Sequence, residues 1–202
     1  FDSLPYFIAP NQGTAIWAPD GEGYIKAYET FEEFAGENSD AFSYDSSTNT
    51  LNMTAAFSKT VTNPGDMGGA FFNADVTLDL NGQTWTLSNR NQIVINGKVE
   101  VTLKDSSGSG GMISATGSVG VIETLGSLNI QGGKLQGGSF AIIVDGNSAV
   151  NMTDGEISGS LYAIAASDPS DGTAGTSRTI NISGGKVTGG QGNFYLTNQY
   201  KT

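Results

Sequence analysis

Cysteine and histidine are both missing from these 202 residues. Without cysteine there is no disulfide framework and no thiolate chemistry. Without histidine, the commonest general base and the commonest zinc ligand are gone. Basic residues are scarce: 9 lysines and arginines face 20 acids, for a formal net charge of −11. Arg90 and Arg178 are the two arginines. A nucleic-acid binder needs a basic stripe to neutralise phosphates, so nucleic acid is not an expected partner. Anionic membrane surfaces are disfavoured on the same ground. No apolar run approaches the roughly 18 residues of a spanning helix, so no membrane insertion is expected. There is no initiator Met and no visible signal peptide, and Phe1 is expected to be a processed or trimmed start.

What is abundant is glycine, 29 residues, with Ser, Thr and Asn filling the second half. Such a mix can mean disorder, but here apolar residues recur within it at fixed places. SLNIQGGKLQGG (127–138), AVNMTDGEISGS (149–160) and TINISGGKVTGG (179–190) align without gaps. Their apolar columns are Leu128/Val150/Ile180, Ile130/Met152/Ile182 and Leu135/Ile157/Val187. A glycine column, Gly133/Gly155/Gly185, and an asparagine column, Asn129/Asn151/Asn181, run beside them. In the segments that follow, Val121, Ile142, Ile164 and Phe194 align, next to a small-residue column of Gly120, Ala141 and Ala163. Upstream, DVTLDLNGQTWTL (75–87) and EVTLKDSSGSGGMI (100–113) look like two further turns, and LNMTAAF (51–57) an earlier one.

Short alternating apolar runs suit strands. A glycine after each lets the chain turn sharply with positive φ. A repeat of 22 residues, stretched to 30 by the surface loop SDPSDGTAGTS (167–177), means coils that stack and share one core. The predicted fold is all-β: a single-stranded right-handed parallel β-helix, or solenoid, with an N-terminal cap containing a short helix. Six or seven coils would make a rod of roughly 30 Å. The asparagine column predicts an amide ladder along the axis. TFEEFAGEN (30–38) reads as the cap helix, with Thr30 as N-cap, Glu33 completing a capping box and Gly36 near its end. We place an N-terminal extended segment and cap at 1–45 and the parallel β-helix at 46–202.

YETFEEFAGEN, VTLDLNGQTWTL, VTLKDSSGSGGMI and NISGGKVTGG resemble the repeat-rich right-handed β-helix modules of bacterial cell-surface proteins, which belong by fold to the pectin-lyase-like superfamily. The resemblance covers roughly 25–190 and implies architecture far more than function.

Polysaccharide lyases and hydrolases share this fold. A lyase needs clustered acids for calcium and an Arg or Lys base, whereas Glu123, Asp145, Asp154 and Glu156 are scattered along the rungs. A hydrolase needs two carboxylates roughly 5–10 Å apart. Asp154 and Glu156 could share a face, but a solvated turn beside Gly155 explains them better. Asp168, Asp171 and Gly172 share one loop near Asp145 but match no calcium-loop spacing. Of the sequons at Asn52, Asn151 and Asn181, the latter two fall inside predicted strands and fit ladder asparagines better than glycan sites. No catalytic, cofactor-binding or metal-binding residue is therefore assigned, no cofactor is expected and the chain is not expected to be an enzyme. Tyr24, Tyr28, Trp85, Phe140, Tyr162, Phe194, Tyr195 and Tyr200 are the candidates for a sugar-stacking platform, with Trp85 assigned instead to the core.

The expected function is a non-catalytic extracellular module, structural or adhesive, secreted or on a cell surface. The alternative is a carbohydrate-binding β-helix, and less favoured still a polysaccharide lyase or hydrolase. The expected partner is a surface glycan or protein, or a second copy bound head to tail in a filament. In that filament PYFIAP (5–10) and AIWAP (15–19), which have no evident place in the rungs, would add to the open C-terminal coil of the next molecule.

Overall fold

The computed structural model describes residues 13–59, 69–87, 92–115, 120–167 and 177–197. The chain starts with an antiparallel hairpin, β1 (Ile16–Pro19) and β2 (Ile25–Tyr28), followed by helix α1 (Phe31–Glu37). A second antiparallel hairpin comes next, β3 (Phe42–Asp45) and β4 (Thr50–Met53). From there the chain winds. One coil runs through β5 (Ala70–Phe72), β6 (Val76–Asp79) and β7 (Thr84–Leu87). The next runs through β8 (Ile93–Ile95), β9 (Glu100–Lys104) and β10 (Met112–Ala115). Then come β11 (Ile122–Thr124) with the long, bent β12 (Ser127–Gly137), and β13 (Phe140–Val144) with the equally long β14 (Ala149–Gly159). The last coil is β15 (Tyr162–Ser167), β16 (Thr179–Ile182) and β17 (Lys186–Gly189), and β18 (Gly192–Thr197) begins another.

The result is a β-solenoid of about five turns with three faces. Face one stacks β5, β8, β11, β13, β15 and β18, all in parallel register. Face two stacks β4, β6, β9, the first halves of β12 and β14, and β16. Face three stacks β7, β10, the second halves of β12 and β14, and β17. The turn count falls below the six or seven expected because β1 with β2 and β3 with β4 pair as antiparallel hairpins instead of coils.

The aligned columns are physical neighbours. Leu128 pairs with Val150, which pairs with Ile180; Leu135 pairs with Ile157, which pairs with Val187; Val76 pairs with Val101. Leu128, Ile130, Leu135, Ile142, Val150, Met152, Ile157 and Ile164 are buried in one continuous core. One register needs correction. Ile122, not Val121, pairs with Ile142, and Glu123 faces Ile143 rather than Val144. Val121 takes the corner position of Ala141, to whose carbonyl its N–H donates at 2.9 Å. Two adjacent apolar residues, both buried, left the sequence alignment free to slip by one.

The glycine column forms the sharp bend between faces two and three. Gly133, Gly155 and Gly185 have φ of +81°, +104° and +82°, a region L side chains rarely adopt. A Cβ on Gly155 would lie 2.7 Å from the Gly133 carbonyl oxygen of the coil below. The asparagine column is a ladder: Asn151 Nδ2 donates to Asn129 Oδ1 at 2.9 Å, and Asn181 Nδ2 donates to Asn151 Oδ1 at 2.9 Å. It stands on the outer surface, since Leu128 and Ile130 on either side of Asn129 point inward.

Acids staple other corners. Asp105 accepts from Gly82 N–H and Ser107 Oγ with one oxygen, both at 2.7 Å, and from Gly110 and Gly111 N–H with the other. Burial alone would raise its pKa, but the hydrogen bonds from Ser107, Gly111, Gly82 and Gly110 outweigh this and hold it below the usual value. Asp79, almost fully buried, accepts from Asn81 and Ser106 N–H and faces Lys104 at 3.3 Å.

At the N-terminal end α1 closes the core. Thr30 Oγ1 accepts from Glu33 N–H at 3.1 Å, and the Glu33 carboxylate accepts from Glu29 N–H at 2.8 Å. Phe34 packs on Tyr28 and Phe42, and Phe42 and Phe57 meet Trp85, which is fully buried as its column predicts. No helix among the described residues is long and apolar enough to cross a membrane.

Candidate functional site: the open C-terminal coil

Three of the sequence candidates resolve into structural work. Glu156 lies 3.0 Å from Lys186 and 4.0 Å from Lys134, a charge ladder up the corner between faces two and three. Asp154 turns back to accept from Gly155 N–H. Asp145 pairs with Arg178 at 3.2 Å. Glu156 and Asp154 line, with Asp105 and the glycine column, a shallow polar groove of about 450 Å³. Among the described residues no three acids converge as a metal site would need. Of the sequons, Asn151 and Asn181 are ladder members and Asn52 donates to the Thr50 carbonyl. Pro5–Pro10, Arg90, Asp168, Asp171, Gly172 and Tyr200 lie outside the described residues.

The aromatic candidates divide. Tyr28 and Trp85 are core. Phe140 and Tyr162 stand side by side on the outer surface of face one, their rings 6.2 Å apart and inclined by only 13°. The Tyr195 ring continues the row 5.0 Å from Tyr162. Tyr24 is exposed at the opposite end of the rod.

Face one also holds a polar pair in an apolar setting. Its outward column runs from Trp17 and Phe71 through Val94, Glu123 and Ile143 to Tyr195. Gln92, buried, donates from Nε2 to the Glu123 carboxyl, while its own Oε1 is buried without a partner. Burial pushes the Glu123 pKa up; the Gln92 hydrogen bond partly opposes this and the Asp145 charge adds to the rise.

Among the described residues, the exposed ends of the core columns lie in the C-terminal coil. β16 and β17 pair only with β14, and β18 only with β15, so their far edges carry no strand among the described residues. The core columns nevertheless continue into them. Ile182 stands above Met152 and is 38% exposed, where Met152 is 1% exposed. Phe194 and Leu196 stand above Ile164 and Ala166 and are 43% and 67% exposed. Ile180 and Val187 are half-covered. Sequence reasoning placed Ile180, Ile182 and Val187 in the shared interior. Their columns are right, but with a coil on one side only they remain partly in water.

The N-terminal donor expected for this edge is partly occupied elsewhere. AIWAP is β1 with its preceding residue, and β1 pairs with β2 on one side and β5 on the other within its own molecule. Ile16 and Ala18 are fully buried there, so this segment has a place in its own fold after all. No family model, no curated protein and no solved structure matches the chain.

Proposed function

We propose that this chain is a non-catalytic structural or adhesive module of an extracellular surface, a rigid β-solenoid that associates through its open C-terminal coil. The observation that carries the reading is the exposure of Ile182, Phe194 and Leu196 at the end of otherwise buried columns. Apolar surface rimmed by strand edges that carry no strand among the described residues is what an association site needs. The rest of the molecule is built for stiffness: stacked amide and charge ladders, acid-stapled corners and a helix over the other end. The likeness of the repeats to right-handed β-helix modules of bacterial surface proteins supports a place outside the cell.

Sedimentation of the chain across a concentration range tests this. Mass should rise above the 20.9 kDa of one chain, and Leu196→Lys should return it to that value while leaving the circular dichroism spectrum unchanged. A monomer at every concentration would end the association reading.

The row Phe140, Tyr162 and Tyr195 favours a second reading, in which face one holds a glycan by stacking on aromatic rings. Titration with oligosaccharides of plant, host and bacterial origin should then shift the NMR signals of Phe140 and Tyr162, and Tyr162→Ala should remove the shift.

A further inference from the structure

We propose that the side chains of Lys59 and Asn38 join in an isopeptide bond, so that the helical cap is tied covalently to the solenoid. The inference is independent of the C-terminal coil.

Lys26, Lys104, Lys134 and Lys186 each face a carboxylate. Lys59 faces a neutral amide instead. Its Nζ donates to Asn38 Oδ1 at 2.6 Å and to the Asp20 carbonyl at 3.4 Å. The centre of the Phe57 ring is 5.9 Å away. Gly21 makes room for the stem, since a Cβ there would meet Lys59 Cε at 3.3 Å.

Both groups are held in place. Asn38 is fully buried at the end of α1. Its Nδ2 donates to the Phe34 carbonyl at 2.9 Å, and its own carbonyl accepts from the Ala41 and Phe42 N–H groups. Lys59 comes two residues after Phe57, which exchanges backbone hydrogen bonds with Thr84 and Thr86 on either side of Trp85. The 2.6 Å contact plus one C=O bond length puts Nζ within about 3.8 Å of Asn38 Cγ. Two groups fixed at such a distance react as if at very high concentration.

The setting also favours the product. A half-buried ammonium beside an aromatic ring and a neutral amide carries its charge at a cost. Conversion to an amide removes that charge and keeps one N–H for the Asp20 carbonyl. The Tyr28 hydroxyl is hydrogen-bonded to the Asn38 side chain, and the Glu37 and Asp20 charges act on it. It is placed to carry a proton.

The step balances without any oxidant or reductant. Lys59 Nζ sheds one proton to solvent and attacks Asn38 Cγ. A second proton passes from Nζ through the Tyr28 hydroxyl to Nδ2. The Cγ–Nδ2 bond breaks, the carbonyl re-forms, and ammonia leaves and is protonated in solvent. The net change is one ammonium released for one amide formed.

Intact-mass spectrometry of the full chain tests this, with Lys59→Arg and Tyr28→Phe beside it. The chain should be lighter than its sequence by the mass of one ammonia, and protease digestion should yield a branched peptide joining residues 38 and 59. Lys59→Arg should keep the full mass of its sequence with an unchanged circular dichroism spectrum. A chain at full sequence mass would overturn the proposal. So would ammonia loss that persists in Lys59→Arg, which would mark succinimide formation at an Asn–Gly pair such as Asn81–Gly82. Tyr28→Phe, sampled from the onset of expression, should reach the linked mass at least tenfold more slowly. An equal rate would overturn the part given to Tyr28.

Discussion

At the scale of single residues, Glu123 is the group whose surroundings suit its charge least. It stands between Val94 and Ile143 on face one, and among the described residues its carboxyl accepts a hydrogen bond from Gln92. The unpartnered Gln92 Oε1 would accept a hydrogen bond from the O–H of the protonated Glu123 carboxyl, closing a two-bond ring between acid and amide. A carboxyl whose pKa is raised on folding binds more protons folded than unfolded. Its contribution to stability is therefore complete below the ordinary glutamate value and is lost as pH rises through the folded value. Asp79 and Asp105, both lowered, act with the opposite sign and lose their contribution as pH falls. Glu123→Gln keeps the ring at every pH. Denaturant unfolding of both proteins should show the variant gaining on the parent as pH rises from about 4 to about 8; a difference independent of pH would refute the assignment. Ile142, fully buried in mid-core, gives the simpler case. Ile142→Ala should cost about 2–5 kcal/mol through lost burial and the cavity left behind, measured in the same way.

At the scale of elements, the bend between faces two and three depends on its glycines. Gly155 needs both a positive φ and room beneath it, and the Gly133 carbonyl lies 2.7 Å from where a Cβ would stand. Gly155→Ala should therefore destabilise by more than the ~1 kcal/mol typical of conformational effects alone, and should shift the amide signals of Gly133 and Gly185, its neighbours in the column. The cap helix is a milder case. Thr30 makes one capping bond to Glu33, and Thr30→Ala should cost about 1 kcal/mol with the solenoid intact. Thermal unfolding of the two variants should rank them in that order.

At the scale of the whole molecule, stability in a solenoid is a sum over neighbouring coils. β12 and β14 have neighbours on both sides, whereas β16, β17 and β18 have one. Hydrogen exchange in dilute protein should be slowest in β9, β12 and β14 and fastest in β16–β18. Raising the concentration should protect β18 selectively if the coils meet. The aromatic cluster under α1 should keep β3 and β4 protected despite their place at the other end.

The repeat alone specified the core of this protein. Three aligned segments placed Leu128, Val150, Met152 and Ile157 in shared columns, set the corners at Gly133, Gly155 and Gly185, and predicted the asparagine ladder. This works because strand stacking converts sequence period directly into spatial neighbourhood. Thr30 and Glu33 likewise announced the helix, since capping is a local interaction. Where the repeat weakens, sequence reasoning slipped: Val121 and Ile122 are both apolar and both buried, and only the hydrogen-bonded ladder decides which one faces Ile142. The hairpin that absorbs Ala15–Pro19 was not legible either, because its partner β5 lies over fifty residues away. Nor was the setting of Glu123, whose partner Gln92 comes from the coil below. Which columns end in water is likewise a tertiary matter. Ile180, Ile182 and Val187 read like any other core position, and only the absence of a neighbouring strand among the described residues leaves them partly in water.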